Sequence, residues 1–358
     1  MTRALRAALF GVLLCVGGGA FDLPSLYVPG VAIALVGLGS MAWIALAARG
    51  AAVVREAGPG TVQEEEPYPL KVRIVRGLLP PPSGELIEPL LGRALPATDP
   101  RSRRVRVNVR FGRRGRKTIE PARLVIRDPL SLAVRETHSA PGEVLVLPRI
   151  EPITVGAAAG IAGMEPVRGA LTEAAAELEL HSLRPYRAGA PASRIHWPTV
   201  ARTRVMMERR LVAEADARPL VVLDPSNPPT EEALDRAVRA TASLVVHLAR
   251  RAHGCSLLLP GQRRPTDLDA ELRGWPALHA RLALLDAAEG PPTSRRLERS
   301  GAVFWVSAGG SSLPPGVKRG GGSYFVTPLP VSGRPTAFTV AGCAGYRLGS
   351  PRERQAVA

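Results

Sequence analysis

The chain has 358 residues and a formal net charge of +16 at pH 7, because 47 Lys and Arg residues outnumber 31 Asp and Glu residues. This length is too great for one small core and allows two soluble domains and one further segment. The three cysteines, Cys15, Cys255 and Cys343, have no short pairing, which excludes a disulfide framework and a zinc knuckle and predicts buried free thiols.

The further segment is N-terminal and apolar. Residues 7–21 and 26–48 form two apolar runs, and the second contains no charged residue. A membrane-spanning helix needs about 20 apolar residues, which the second run supplies and the first approaches. A signal peptide is the alternative for the first run, but polar mature sequence should then follow, and here a second span follows at once. The pattern predicts two transmembrane helices within residues 1–55.

Basic residues set the predicted orientation of this helix pair. Arg3 and Arg6 precede the two runs and Arg49 and Arg55 follow them, whereas the link 22–25 has neither Lys nor Arg. Because Lys and Arg are enriched at the cytoplasmic ends of membrane helices, we expect both ends of the pair in the cytoplasm. The sequence therefore predicts a multi-pass plasma-membrane protein whose soluble domains face the cytoplasm.

The segment 61–150 has the pattern of an all-β sandwich. Residues 104–111 alternate apolar and polar side chains, as a half-buried strand does, and residues 112–115 supply a Gly-rich turn. Further short strands are predicted over residues 70–75, 124–126 and 144–147. We find no catalytic candidates in this segment.

Cations crowd one part of the predicted sandwich. They are Arg101, Arg103, Arg104, Arg106, Arg110, Arg113, Arg114, Arg116 and Lys117. Three interpretations stay open: a solvated sheet face, a surface for anionic lipid, and a nucleic-acid surface. Nucleic acid is the weakest of them, because Phe111 alone interleaves the cations where base stacking needs several aromatic residues.

The pattern changes after a Gly- and Ala-rich linker at 151–182, which has a short predicted helix at 171–178. Residues 183–345 read as an α/β domain, and residues 346–358 as a disordered tail. Strands are predicted over 220–223, 255–259, 302–306 and 324–327, and helices over 230–254 and 268–287. The fold class is therefore an open α/β sheet preceded by a sandwich and a helix pair.

A signature lies at the start of this α/β domain. Residues 183–189 read Leu-Arg-Pro-Tyr-Arg-Ala-Gly, residues 194–197 read Arg-Ile-His-Trp, and Ala-Arg-Thr follows at 201–203 before the strand at 220–224. This arrangement resembles the signature of the domain of unknown function 58 family. The resemblance implies a membrane-anchored protein with a von Willebrand factor type A-like domain, and partnership with a MoxR-type AAA+ ATPase in the assembly or maturation of other proteins.

The signature also supplies the candidate binding residues. They are Arg184, Tyr186, Arg194, His196, Trp197 and Arg202. The guanidinium group of arginine binds a carboxylate through two parallel hydrogen bonds, and the rings of Tyr186 and Trp197 would line one side of the site. An acidic peptide or loop is therefore the expected ligand. The alternative is that these residues staple the sandwich to the α/β domain through buried Arg pairs.

A degenerate metal site is a further hypothesis. Type A domains often hold Mg²⁺ on an Asp-x-Ser-x-Ser motif, and here Asp224 and Ser226 keep the first two positions while Pro228 replaces the last hydroxyl. Asn227 and Ser307 are the available substitutes. A divalent-cation-dependent adhesion module is therefore one alternative function. Otherwise Asp224 and Ser226 cap the helix that follows.

The enzyme motifs that we sought are missing from the sequence. There is no Gly-rich phosphate loop ending in Lys, no His-Glu-x-x-His helix and no Gly-x-Ser-x-Gly elbow. We therefore expect a non-enzymatic protein-binding or scaffold protein without a cofactor.

Overall fold

In a computed structural model of the chain, the structure describes residues 2–80, 83–99, 104–155, 183–186, 195, 197–209, 218–292, 302–310 and 323–348. The chain divides into a first unit, Met1–Gly112 with Arg116–Val146, and a second unit, Arg113–Gly115 with Leu147–Ala358.

Two antiparallel helices open the first unit. They are α1 (Thr2–Ala20) and α2 (Tyr27–Ala48), with a 3-10 turn at Pro24–Leu26 between them. Both helices are long and apolar enough to cross a membrane. Glycines let them approach closely: a Cβ added at Gly11 would lie 2.4 Å from the carbonyl oxygen of Gly30, and one at Gly37 would lie 2.7 Å from that of Ala4.

The rest of the first unit is built from strands. These are β1 (Ala52–Arg55), β2 (Thr61–Gln63), β3 (Tyr68–Val75), β4 (Ser83–Glu88), β5 (Arg93–Pro96), β6 (Arg104–Val109), β7 (Gly115–Ile119), β8 (Arg123–Arg127), β9 (Val134–His138) and β10 (Gly142–Leu147). Within the described residues they form sheets with the orders β1-β3-β6, β2-β10-β7 and β5-β4-β8-β9. Alternation along β3 buries Tyr68, Leu70 and Val72, and Ile44 and Ala47 of α2 complete the same core.

The second unit contains a large mixed sheet. Its elements are β11 (Thr154–Val155), β12 (Leu183–Pro185), α3 (Trp197–Thr203), β13 (Met207–Arg209), β14 (Leu220–Asp224), α4 (Glu231–Arg251), β15 (Cys255–Leu258), β16 (Thr266–Leu268), α5 (Trp275–Leu284), β17 (Val303–Ser307), β18 (Ser323–Thr327), β19 (Thr336–Val340) and β20 (Cys343–Leu348). The strand order is β11-β19-β20-β18-β17-β14-β15-β16, and the four strands β15, β14, β17 and β18 run parallel. Strands β12 and β13 pair separately as an antiparallel ribbon.

Both faces of this sheet are buried along its central strand. Val221 and Leu223 of β14 belong to one apolar cluster together with residues of α4, whereas Leu220 and Val222 belong to another on the opposite face. A strand covered on both faces reads as a continuous apolar run, and the predicted strand at 220–223 is confirmed for this reason.

Helix α4 is also confirmed, because its end signals are local. The Thr230 side chain accepts a hydrogen bond from the Ala233 amide at 3.1 Å, which caps the first turn. Glu231 and Glu232 occupy that turn and Arg250 and Arg251 occupy the last, so each end of the helix dipole meets the opposite charge.

Several predictions of elements were wrong or incomplete. The helix predicted over 268–287 is replaced by β16, the helix α5 and a 3-10 turn at Ala287–Glu289. Helix α5 begins late because Gly274, directly before it, has a left-handed φ of 79° that breaks helical continuity. Strand β20 continues to Leu348, into the segment predicted as a tail. The predicted linker helix at 171–178 lies outside the described residues.

Candidate functional site

The β12–β13 ribbon carries the first part of the signature. Arg184 lies opposite Glu208 in the ladder, and the Tyr186 amide donates a hydrogen bond to the Met206 carbonyl oxygen at 3.0 Å. The Tyr186 residue is half-buried. The backbone pairing therefore places a basic residue opposite an acidic residue in the first part of the signature. We name residues 183–186 and 197–209 the recognition segment.

Exposed apolar side chains mark the other end of the recognition segment. Trp197, the first residue of α3, is 58% exposed, and Val205 and Met206, just after the helix, are about half-exposed. Arg202 is exposed in the last turn of α3. Arg204 ends the helix with a left-handed φ of 55° and donates its amide to the Val200 carbonyl oxygen at 2.8 Å. This stretch therefore presents three exposed apolar side chains and an exposed cation.

The structure describes four of the six predicted binding residues. Arg184, Tyr186, Trp197 and Arg202 all fall within the recognition segment, whereas Arg194 and His196 lie outside the described residues. Val205 and Met206 were missed as candidates. Their signal in the sequence is a run of apolar residues, 205–207, directly after the basic residues Arg202 and Arg204.

The predicted metal residues lie at the end of the central strand. The Asp224 carboxylate, through Oδ1, accepts hydrogen bonds from the Ser226 amide at 3.1 Å and from its hydroxyl. Ser307 lies beside Asp224 in the parallel register, and its Oγ accepts from the Gly310 amide at 3.2 Å. Thr230 caps α4, so the prediction that Asp224 and Ser226 cap that helix was wrong.

The two loops at this sheet edge also approach each other closely. A Cβ added at Gly309 would lie 1.8 Å from the Asn227 carbonyl oxygen, so only glycine fits there. In the described part of the chain, no group of three or more His, Cys, Asp or Glu side chains is placed to share a metal ion. Among the described residues this edge offers one carboxylate, Asp224, which is already hydrogen-bonded, whereas Mg²⁺ sites ordinarily draw on several hard oxygen ligands. This donor set fits Mg²⁺ poorly.

Two cations of the basic segment have a structural partner. Arg114 is buried and pairs through its guanidinium with Asp235, and it donates a further hydrogen bond to the Leu285 carbonyl oxygen at 2.8 Å. Arg113 donates to Asp235 at 3.0 Å and to Glu231 at 2.6 Å, and these bonds raise the pKa of its guanidinium, with Glu231 contributing most. Arg114 is buried, so the solvated-face interpretation was wrong for this residue, whereas the paired Arg113 remains exposed.

An open cavity of about 290 Å³ lies along α4 in the second unit. It is lined by Ile150, Glu151, Pro152, Ser243, Val246, His247, Arg250 and Arg251. Burial lowers the pKa of His247, and the nearby Arg251 charge lowers it further. None of the described residues of the recognition segment lines this cavity.

Comparison with protein-family models, with curated proteins and with solved structures finds no match to this chain. The resemblance to the domain of unknown function 58 family therefore stays a prediction.

Proposed function

We propose that this protein is a membrane-anchored, non-enzymatic scaffold that binds other proteins through its recognition segment. The observation that carries the proposal is the exposure of three apolar side chains of this segment, Trp197, Val205 and Met206. Exposed apolar clusters that are rimmed by polar residues are typical of protein interaction sites, and Trp, Met and Arg are enriched in such interfaces. Arg202, which is also exposed, suits an acidic segment of the partner.

The anchoring part of the proposal rests on the helix pair. Helices α1 and α2 are long and apolar enough to cross a membrane, and Arg3, Arg6, Arg49 and Arg55 flank their free ends. By the positive-inside rule both free ends then lie in the cytoplasm. We infer a multi-pass protein of the plasma membrane whose two units face the cytoplasm.

The proposed partner comes from the family resemblance. A MoxR-type AAA+ ATPase acting in the assembly or maturation of other proteins fits a scaffold of this kind. The second unit, with its parallel central strands and an antiparallel strand at each side, supports a von Willebrand factor type A-like domain as the scaffold. We include no cation in this function, because the one described carboxylate at the sheet edge, that of Asp224, already accepts hydrogen bonds from Ser226.

The proposal is tested by co-purification of the tagged, full-length protein in mild detergent from its own cells. The variant Trp197→Ala/Met206→Ala removes two of the three exposed apolar side chains. We expect it to recover at least about tenfold less AAA+ ATPase than the wild type, because a few central aromatic and apolar residues carry most interface energy.

The matched control is Leu284→Ala/Arg263→Ala, which changes exposed residues elsewhere in the second unit. It should recover the ATPase as the wild type does. Equal recovery by the folded Trp197→Ala/Met206→Ala variant would show that another surface binds the ATPase. Recovery of no ATPase by any form would contradict the proposed partner.

A further inference from the structure

The end of α2 reaches beyond the end of its partner helix. Gly37 packs against the first turns of α1, where a Cβ would lie 2.7 Å from the Ala4 carbonyl oxygen. The residues after Ser40 therefore extend past α1, and Ile44 and Ala47 pack into the core formed by the strands of the first unit. Trp43, in the same turns, remains about half-exposed. One side of this helix end is covered by protein and another is apolar and open.

Helix length fixes where a bilayer would meet this end. The part of α2 from Tyr27 to Ser40 is about 21 Å long at about 1.5 Å per residue, which is shorter than a hydrocarbon core of about 30 Å. The full helix, at about 33 Å, spans that thickness. The turns around Trp43 therefore lie at the edge of the hydrocarbon core, and the loops that pack against these turns lie at the membrane surface.

Two of these loops carry exposed leucines. Leu78 is 68% exposed, and its amide donates to the Arg49 carbonyl oxygen, directly after α2, at 3.0 Å. Leu130 is 62% exposed. Its turn is held to both helices, because Asp128 accepts a hydrogen bond from the Ser40 hydroxyl at 3.2 Å, and the Leu132 carbonyl oxygen accepts one from the Ala4 amide at 3.0 Å. Apolar side chains therefore protrude beside the helix ends.

A basic face stands next to the same end. Lys71 of β3 lies opposite Arg106 of β6, and Arg73 lies opposite Arg104, with all four residues exposed. We name these four residues the basic strand face. Strand β3 ends at Val75, about 7 Å along the strand from Arg73, and the chain then turns to contact α2. The basic strand face therefore begins close to the expected membrane surface.

Like charges in direct opposition destabilise a sheet unless an anion balances them. Glu56 lies 4.0 Å from Lys71, but Arg73, Arg104 and Arg106 form no ion pair with any residue that the structure describes. Anionic lipid supplies this missing charge at a membrane surface, where each cation strengthens association roughly fivefold. Nucleic acid would also supply it, but would leave the exposed leucines unexplained.

We propose that the first unit lies against the bilayer, with Leu78 and Leu130 in the interfacial layer and anionic phospholipid headgroups bound on the basic strand face. This inference rests on the membrane anchoring in the proposed function. It adds a second attachment, through lipid headgroups, to the attachment by the helix pair.

The insertion is tested with a fluorescent probe on the full-length protein in lipid nanodiscs. Leu130→Cys, in a Cys15→Ser background, is labelled with an environment-sensitive dye; Cys255 and Cys343 are buried, and burial raises the pKa of the Cys343 thiol to about 12. The control site is Glu66→Cys, just before the far end of β3. We expect blue-shifted emission and quenching by headgroup-labelled nitroxide lipid at position 130 only.

Headgroup binding is tested by the ratio of phosphatidylglycerol to phosphatidylcholine that stays with the protein after extraction from mixed vesicles. Arg104→Gln/Arg106→Gln should lower this ratio at least about fivefold. Arg263→Gln/Arg264→Gln, with the same change of charge on exposed residues of the second unit, should leave it unchanged.

The outcomes separate the inference from the anchoring on which it rests. Release of the protein from membranes by alkaline carbonate would overturn both. A protein that resists carbonate, but whose dye at position 130 behaves as at position 66, would overturn the insertion alone. An unchanged lipid ratio in Arg104→Gln/Arg106→Gln, or nucleic acid that co-purifies through these arginines, would overturn the headgroup assignment.

Discussion

Asp235 is the buried acid to which two arginines of the second unit are bound. It is 3% exposed and accepts hydrogen bonds from Arg113 and Arg114, the latter itself buried. Removing one member of a buried ion pair leaves an uncompensated charge in a poorly solvated place, which destabilises a protein far more than loss of a surface pair.

We therefore expect Asp235→Asn to lower the free energy of unfolding by on the order of 3 kcal/mol. The comparison is Glu231→Gln, which removes the other carboxylate of Arg113 but is 82% exposed in its side chain. That change should lower it by less than about 1 kcal/mol. Denaturant unfolding in mild detergent, followed by tryptophan fluorescence, measures both. Equal losses in the two variants would contradict a special role for the buried acid.

His279 is a buried base whose neutral form the fold prefers. Burial lowers its pKa, opposed by the hydrogen bond to the Pro148 carbonyl oxygen at 2.7 Å. Because that carbonyl oxygen can only accept, Nε2 carries the proton in the neutral ring. The ring stacks on Trp275 with centroids 4.8 Å apart.

This shift makes stability depend on pH in a defined direction. Between pH 6.5 and the lower pKa of His279 in the folded protein, the unfolded chain binds a proton at this histidine and the folded protein does not. The free energy of unfolding therefore falls as the pH drops through this range. Above it, His279 has no such effect. His247, whose pKa burial also lowers, adds a slope of the same sign. We expect His279→Gln to flatten the slope between pH 6.5 and 5, by at most about 1.4 kcal/mol per pH unit. An unchanged slope would contradict the assignment.

At the scale of elements, close glycine contacts hold α1 against α2. A Cβ added at Gly30 would lie 2.6 Å from the Cys15 sulfur and 2.8 Å from the Gly11 carbonyl oxygen, so a side chain at position 30 would meet the backbone of α1. A side chain at Gly37 would meet the backbone of α1, whereas one at Gly39 would meet nothing within 4 Å.

We expect Gly37→Leu to lower the midpoint of thermal unfolding of the full-length protein in mild detergent, because a leucine there forces the helices apart. Gly39→Leu adds the same side chain where nothing lies within 4 Å, and it should leave the midpoint unchanged. Circular dichroism measures both midpoints. Equal midpoints in the two variants would show that the helices do not pack in this way.

Elements with local signals were the ones that the sequence could predict. Helix α4 carries its own cap at Thr230 and charges suited to each end, and β14 is a continuous apolar run. Strand β16 has three residues and exists through its antiparallel pairing with β15, which no local pattern specifies. Similarly, β1, β2, β4, β5, β7 and β9 are short strands whose pairing partners define them.

The sequence proposes the residues of the recognition segment but does not give their exposure. Residue type alone could not show that Trp197 is exposed while Tyr186 is half-buried. Exposure depends on residues distant in the sequence. For the same reason Arg114 looked like any other cation of the basic segment, since its partner Asp235 lies far along the chain.

At the scale of the whole molecule, the chain combines an apolar helix pair, a first unit with a basic strand face, and a second unit that carries the recognition segment. The cations behind the overall charge of +16 differ in their surroundings: Arg114 pairs with a buried acid, whereas the arginines of the basic strand face form no ion pair with any described residue. This division suits a scaffold that is held at a membrane and recruits a protein partner.

The most direct test of this account is photo-crosslinking in the protein's own cells, with a benzoyl-phenylalanine at position 197 and, as the control, at the exposed Leu284. We predict a crosslink to an AAA+ ATPase from position 197 and none from position 284. The same products from both positions, or no protein product from position 197, would contradict the recognition segment as the partner-binding surface.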